Sequence, residues 1–198
     1  MKVRKNDGNT DKRKGVSTMI YSYETCIAIF KTDYQLRKEI EKGNIFKIEK
    51  GIYSDDEYES DIAIMKMKYP DAVFTLNSAF YFYGLTDTIP RIHYLETDKD
   101  ASKIRDEKVK QIFDNHNSLN VGVTEMEYDG TMIKVFDRER LLIELVRNKK
   151  KLPFDYYKEI IGNYRRLVHE LDVQAIHDYA VVLPKTNKVM EIIQMEVF

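Results

Sequence analysis

The residues with the clearest chemical purpose lie between Thr32 and Tyr53. With Leu36 and Ile40 four apart and turned inward, a helical step of about 100° per residue faces Tyr34, Lys38, Glu41 and Lys42 outward. Gln35 and Arg37 fall on the flanks of that face. Long donors of this kind suit a nucleic acid. Lysine and arginine take phosphates or guanine edges, glutamine pairs with adenine, and tyrosine reaches a phosphate or packs on a sugar. Lys47 and Lys50, in the short β-rich pieces that follow, are placed to approach the sugar–phosphate backbone. Glu41 fits least well, because a carboxylate there is useful only if it accepts from cytosine. Charges alone favour a merely solvated face; the order of elements around them, with Gly43 and Gly51 where turns need them, favours DNA.

Other chemistry is thin. The glycine-rich phosphate loops GxxxxGK[ST] and GxGxxG do not occur, nor does the GxSxG elbow of serine hydrolases. Asp98 and Asp100 flank Lys99 in a polar connection with no third acidic partner at metal spacing. His93, His116, His169 and His177 are scattered and lack the ligand spacing of a zinc site. Cys26 is the one cysteine, which excludes an internal disulfide and a cysteine metal cluster. The 14 tyrosines, among them Tyr81, Tyr83, Tyr156, Tyr157 and Tyr164, read as core, with an RNA-stacking surface as the lesser reading. The run Arg147-Asn148-Lys149-Lys150-Lys151, with Arg165 and Arg166 later, is either a second nucleic-acid patch or a solvated helix end whose cations suit the C-terminal dipole. The expectation is a protein that is not an enzyme, with no catalytic residue, metal ligand or cofactor.

The elements that must carry these residues follow from periodicity and punctuation. Helical spacing begins near Thr18, with Met19, Ile20, Tyr23, Ile27 and Phe30 on one side. Thr32 or Asp33 is an N-cap for a second helix, Tyr34 to Lys42, closed by Gly43. Ile45 to Ile48, the turn Glu49-Lys50-Gly51, and Ile52-Tyr53 predict a hairpin. Helix, helix, hairpin is the order of a winged helix. Beyond an acidic stretch, 55–61, the pattern predicts a helix from Ile62 to Lys68, another from Thr75 or Asn77 to Gly84, and strands at 92–96 and 109–113. Asp129-Gly130 marks a hairpin over 121–136. Four helices follow: Arg138 to Asn148, Phe154 to Arg166, Leu171 to Leu183, and Lys188 to the end.

Charge divides the chain in the same place. Residues 1–54 hold twelve Lys/Arg against seven Asp/Glu, although the whole chain has a net charge of −1. A basic module joined to an acidic body is the implied organisation. Six of those cations lie in 1–15, which reads as a flexible tail, with a DNA-contacting arm as the other reading. No apolar run approaches membrane-spanning length and the N-terminus lacks a signal-peptide core, so the expected location is cytoplasmic.

Three stretches resemble AbiEi-type antitoxins. The first is Asp33 to Lys38 through Gly43 with Phe46 to Tyr53, ending in a Lys50-Gly51-Ile52-Tyr53 wing. The second and most specific is Phe74 to Pro90, with Ser78-Ala79 and Gly84-Leu85-Thr86-Asp87. The third, Asp137 to Arg147, is similar to the family's Glu-Arg helix, with Leu141 where a threonine is usual and Glu144 where an aspartate is. The likeness runs from about 20 to 180 and is poor over 17–31. It implies an α+β protein: an N-terminal winged helix-turn-helix followed by a larger mixed α/β C-terminal domain ending in helices. The expected bounds are a tail at 1–15, the DNA-binding domain at 16–57 and the antitoxin domain at 58–198. It implies a transcriptional autorepressor that binds inverted repeats in double-stranded DNA at its own promoter. It also implies a type IV antitoxin that opposes a nucleotidyltransferase-like toxin of abortive phage infection without a stable complex. The alternatives are a nucleic-acid-processing enzyme targeted by a winged helix, using Asp98 and Asp100, and a ligand-sensing repressor.

Overall fold

The computed structural model describes residues 19–114 and 116–198; the tail expected at 1–15, and Thr18, lie outside them. The architecture is mixed, with eight α-helices and two sheets among the described residues. The chain divides into two compact units, Met1–Met67 and Lys68–Phe198.

In the first unit the order is β1 (Ile20–Ser22), α1 (Tyr23–Phe30), α2 (Asp33–Glu41), β2 (Phe46–Glu49), β3 (Ile52–Ser54) and α3 (Asp61–Lys68), whose last residue opens the second unit. The helix expected from Thr18 is corrected here. Residues 20–22 are a strand antiparallel to β3, with Tyr21 opposite Tyr53, and the helix starts only at Tyr23. The reason is local: the Ser22 hydroxyl accepts the Thr25 N–H at 3.1 Å, which fixes the N-cap there. Met19 and Ile20 therefore leave the helical face assigned to them. Thr32 caps α2 through the Gln35 N–H at 3.2 Å, and the hairpin forms as expected, with β3 central in the sheet order β1-β3-β2. Gly51 turns the hairpin at φ 82°, a left-handed conformation that glycine adopts without strain. Cys26, Leu36, Ile45 and Tyr53 form the core, with Ile27, Phe30 and Ile40 packed against it. The compact unit thus extends past residue 57 to include nearly all of α3.

The second unit holds a five-stranded sheet in the order β6-β5-β4-β8-β7. Its strands are β4 (Val73–Phe74), β5 (His93–Asp98), β6 (Val109–Asp114), β7 (Val123–Tyr128) and β8 (Thr131–Phe136). β5 runs parallel to β6 and β4 parallel to β8; β4–β5 and β7–β8 are antiparallel. The helices are α4 (Leu76–Phe82), α5 (Arg138–Arg147), α6 (Phe154–Arg166), α7 (Val173–Val182) and α8 (Thr186–Glu196). α5 packs on α4, α7 and α8. Every residue from Arg140 to Val146 is buried, so this helix has no solvent face along its middle. Asp137 starts it, accepting the Arg140 N–H at 2.7 Å and the Tyr179 hydroxyl at 2.9 Å.

Two expected segments shift. α7 begins at Val173, because Asp172 caps it through the Ala175 N–H at 3.0 Å. α8 begins at Thr186, ahead of the expected Lys188.

Candidate nucleic-acid interface and a buried charge cluster

Burial of Leu36 and partial burial of Ile40 turn the rest of α2 outward, and all seven residues singled out for DNA contact are exposed. Five of them, Tyr34, Gln35, Arg37, Lys38 and Lys42, share α2 and its C-cap. Lys38 sits over the Tyr34 ring, its ammonium 4.8 Å from the centroid. Arg37 pairs with Asp33 at 2.7 Å across one helical turn, an exposed contact easily exchanged for a phosphate. Lys42 bonds Glu39 at 2.7 Å, and its hydrogen bond with that from Asn44 holds the Glu39 carboxyl below its usual range. Glu39 therefore points its charge into the helix end rather than toward a ligand. Glu41 is exposed beside this face.

The charge of the hairpin is uneven along its length. Lys50 is exposed at its turn, after Glu49, and Lys47 is exposed midway along β2, whereas Asp55, Asp56 and Glu57 follow β3 at the other end and line a hollow with Phe46. A polyanion is repelled from the acidic end, which sets a direction of approach. Six of the twelve cations of residues 1–54 belong to 1–15 and so lie outside the described residues.

The second unit contains a site that the sequence reading passed over. Arg140 is 1% exposed, and its guanidinium lies 4.7 Å from the Phe136 ring. It meets Glu144 at 3.1 Å and Glu96 at 3.7 Å, while Arg147 takes the same Glu144 at 2.6 Å. Arg140 Nε is buried with no hydrogen-bond partner. Asp114 is spoken for: it accepts backbone N–H groups of His116, Ser118 and Leu119 and the Ser118 hydroxyl. Burial works to raise its pKa, but these bonds outweigh burial and hold it below the usual range. Glu96 has no such support. Burial first, and Glu144 second, push it from its usual 4.5 to about 7, with Arg140 opposing.

These groups line a cleft of about 430 Å³. Glu96, Asp114, Arg140 and Glu144 are its buried lining residues; Lys151, Lys185, Phe113 and His116 are its exposed ones. Part of the signal was in the sequence. Arg140, Glu144 and Arg147 lie at helical i, i+4 and i+3 spacings within the third resembling stretch. Glu96 and Asp114 join them only through the parallel β5–β6 pairing, which no local pattern announces.

Elsewhere the singled-out residues have structural roles. Ser78 Oγ accepts the Tyr94 N–H at 2.8 Å, tying α4 to β5, and Asn163 donates to the Leu85 carbonyl at 2.9 Å. Asp98 ends β5 and accepts the Asp100 N–H at 2.8 Å, a local turn. Lys149 is engaged with Glu196 and lies over the Tyr157 ring, so the basic run is split between a helix contact and the cleft. Tyr157 and Tyr164 are core residues. Among the described residues, no group of three or more His, Cys, Asp or Glu could hold a metal ion, and no helix is long and apolar enough to cross a membrane. No protein-family model matches the chain, and no curated protein matches it.

Proposed function

We propose that β1 to β3 form a winged helix-turn-helix, with α2 as the recognition helix and the β2–β3 hairpin as the wing. The protein then acts in the cytoplasm as a DNA-binding autorepressor of its own promoter. One observation carries this reading: α2 exposes Tyr34, Gln35, Arg37, Lys38 and Lys42 together while Leu36 anchors it in the core. The sheet order β1-β3-β2 and the exposed Lys47 and Lys50 of the hairpin support it. The second half of the proposal, a type IV antitoxin opposing a nucleotidyltransferase-like toxin, rests on the resemblance of 33–53, 74–90 and 137–147 to AbiEi-type antitoxins.

The test is fluorescence anisotropy on the full chain with duplexes from its own upstream region. Preferential binding of an inverted repeat over random duplex is expected at about 0.15 M salt. Lys38→Ala with Lys42→Ala is expected to abolish that preference and to lower the salt slope by about two, one per lost phosphate contact. Neutralisation of a nucleotidyltransferase-like toxin should survive in this variant. Equal affinity for random DNA sinks the autorepressor; loss of neutralisation with the fold intact sinks the separation of roles.

A further inference from the structure

The cleft in the second unit plays no part in the DNA-binding reading, yet it has the make-up of a ligand site. Its volume, about 430 Å³, lies within the roughly 300–1,000 Å³ of small-molecule pockets. Lys151 and Lys185, both exposed, and the half-buried Arg147 line it. Phe113, 36% exposed, lines the same space as its aromatic member. Glu96 and Arg140 are among its buried lining residues. Of the three buried acids, Asp114 is saturated by the loop it organises, and Glu144 is neutralised by two arginines. Glu96 meets Arg140 at 3.7 Å, longer than a hydrogen bond, and Arg140 Nε is a buried donor with nothing to donate to.

A buried donor without an acceptor costs about 1–3 kcal/mol, and Arg140 Nε is such a donor in a residue that lines the cleft. Cations for a phosphate, a ring for stacking and a carboxyl for N–H or O–H groups are the three needs of a nucleotide. Sulfate-sized anions would use only the first. A purely apolar ligand would leave the buried charges unanswered.

We propose that this cleft binds a free nucleoside monophosphate, its phosphate between Lys151, Lys185 and Arg147, its base against Phe113, and its sugar or base donors on Glu96. The site belongs to the second unit alone and does not depend on whether the first unit reads DNA.

Calorimetry on the full chain tests this with AMP and GMP, each against its nucleoside and against inorganic phosphate. At least one monophosphate is expected to bind, with nucleoside and phosphate each weaker by about tenfold or more. Lys151→Gln with Lys185→Gln, both at exposed positions, should weaken that binding by about tenfold and leave the ligand-free melting temperature unchanged. Phe113→Ala should weaken the nucleotide without changing the response to inorganic phosphate. No heat with either monophosphate at millimolar concentration overturns the proposal. So does undiminished binding in the double lysine variant, or inorganic phosphate binding as tightly as the nucleotides.

Discussion

Among the carboxyl groups, Glu96 departs furthest from the ordinary chemistry of its type. Its carboxyl is raised from 4.5 to about 7 in the fold, so the folded chain holds that proton more tightly than the unfolded one. The stability linked to it is fully present below pH 4.5 and is lost as pH rises through about 7. The difference corresponds to about 3 kcal/mol. Glu96→Gln is therefore expected to flatten this part of the urea-denaturation profile between pH 5 and 8 and to be the more stable chain at pH 8. An unchanged slope would remove Glu96 as its source. Gly122 controls the same cluster sterically. At φ 72° its added Cβ would meet Arg140 Cβ at 2.6 Å, and that atom is fixed to a buried helix. Gly122→Ala should cost about 2–4 kcal/mol, read as a fall in the denaturation midpoint. A cost below about 0.5 kcal/mol, the range of ordinary surface changes, would mean that the loop moves aside.

At the level of elements, legibility followed sequence distance. α2 was readable because its cap, its inward pair and its closing glycine all lie within twelve residues of one another. The β7–β8 hairpin was readable because Asp129-Gly130 fixes both register and turn. β1 was not, since its partner is β3, more than thirty residues on, and its Met19-Ile20 start mimics the apolar face of a helix. β4 was missed because two residues carry no period; Val73 and Phe74 become a strand only when β5 and β8 arrive on either side. The candidate interface on α2 shares the local character of its helix. The cleft does not, because it takes residues from β5, β6, α5 and the approach to α8. Its one local clue, Arg140 with Glu144, looks in the sequence like an ordinary surface ion pair along a helix.

For the whole molecule, the division into two units gives each proposed role its own scaffold. Substitutions on exposed α2 residues and substitutions in the cleft should add independently in stability, because the first touch no core and the second belong to the other compact unit. The short strand β4 has a further consequence for the second unit. It is the middle of the sheet, yet it joins the β5–β6 pair to the β8–β7 pair through Val73 opposite Glu96, Phe74 opposite Leu95, and Phe74 opposite Val135. A seam so narrow lets the two halves open separately, so amide hydrogen exchange should resolve two cooperative blocks. The expected pattern is coincident protection within β5–β6, coincident protection within β7–β8, and different opening free energies for the two. A single shared value across all four strands would mean that α5, rather than the backbone ladder, welds the sheet into one body.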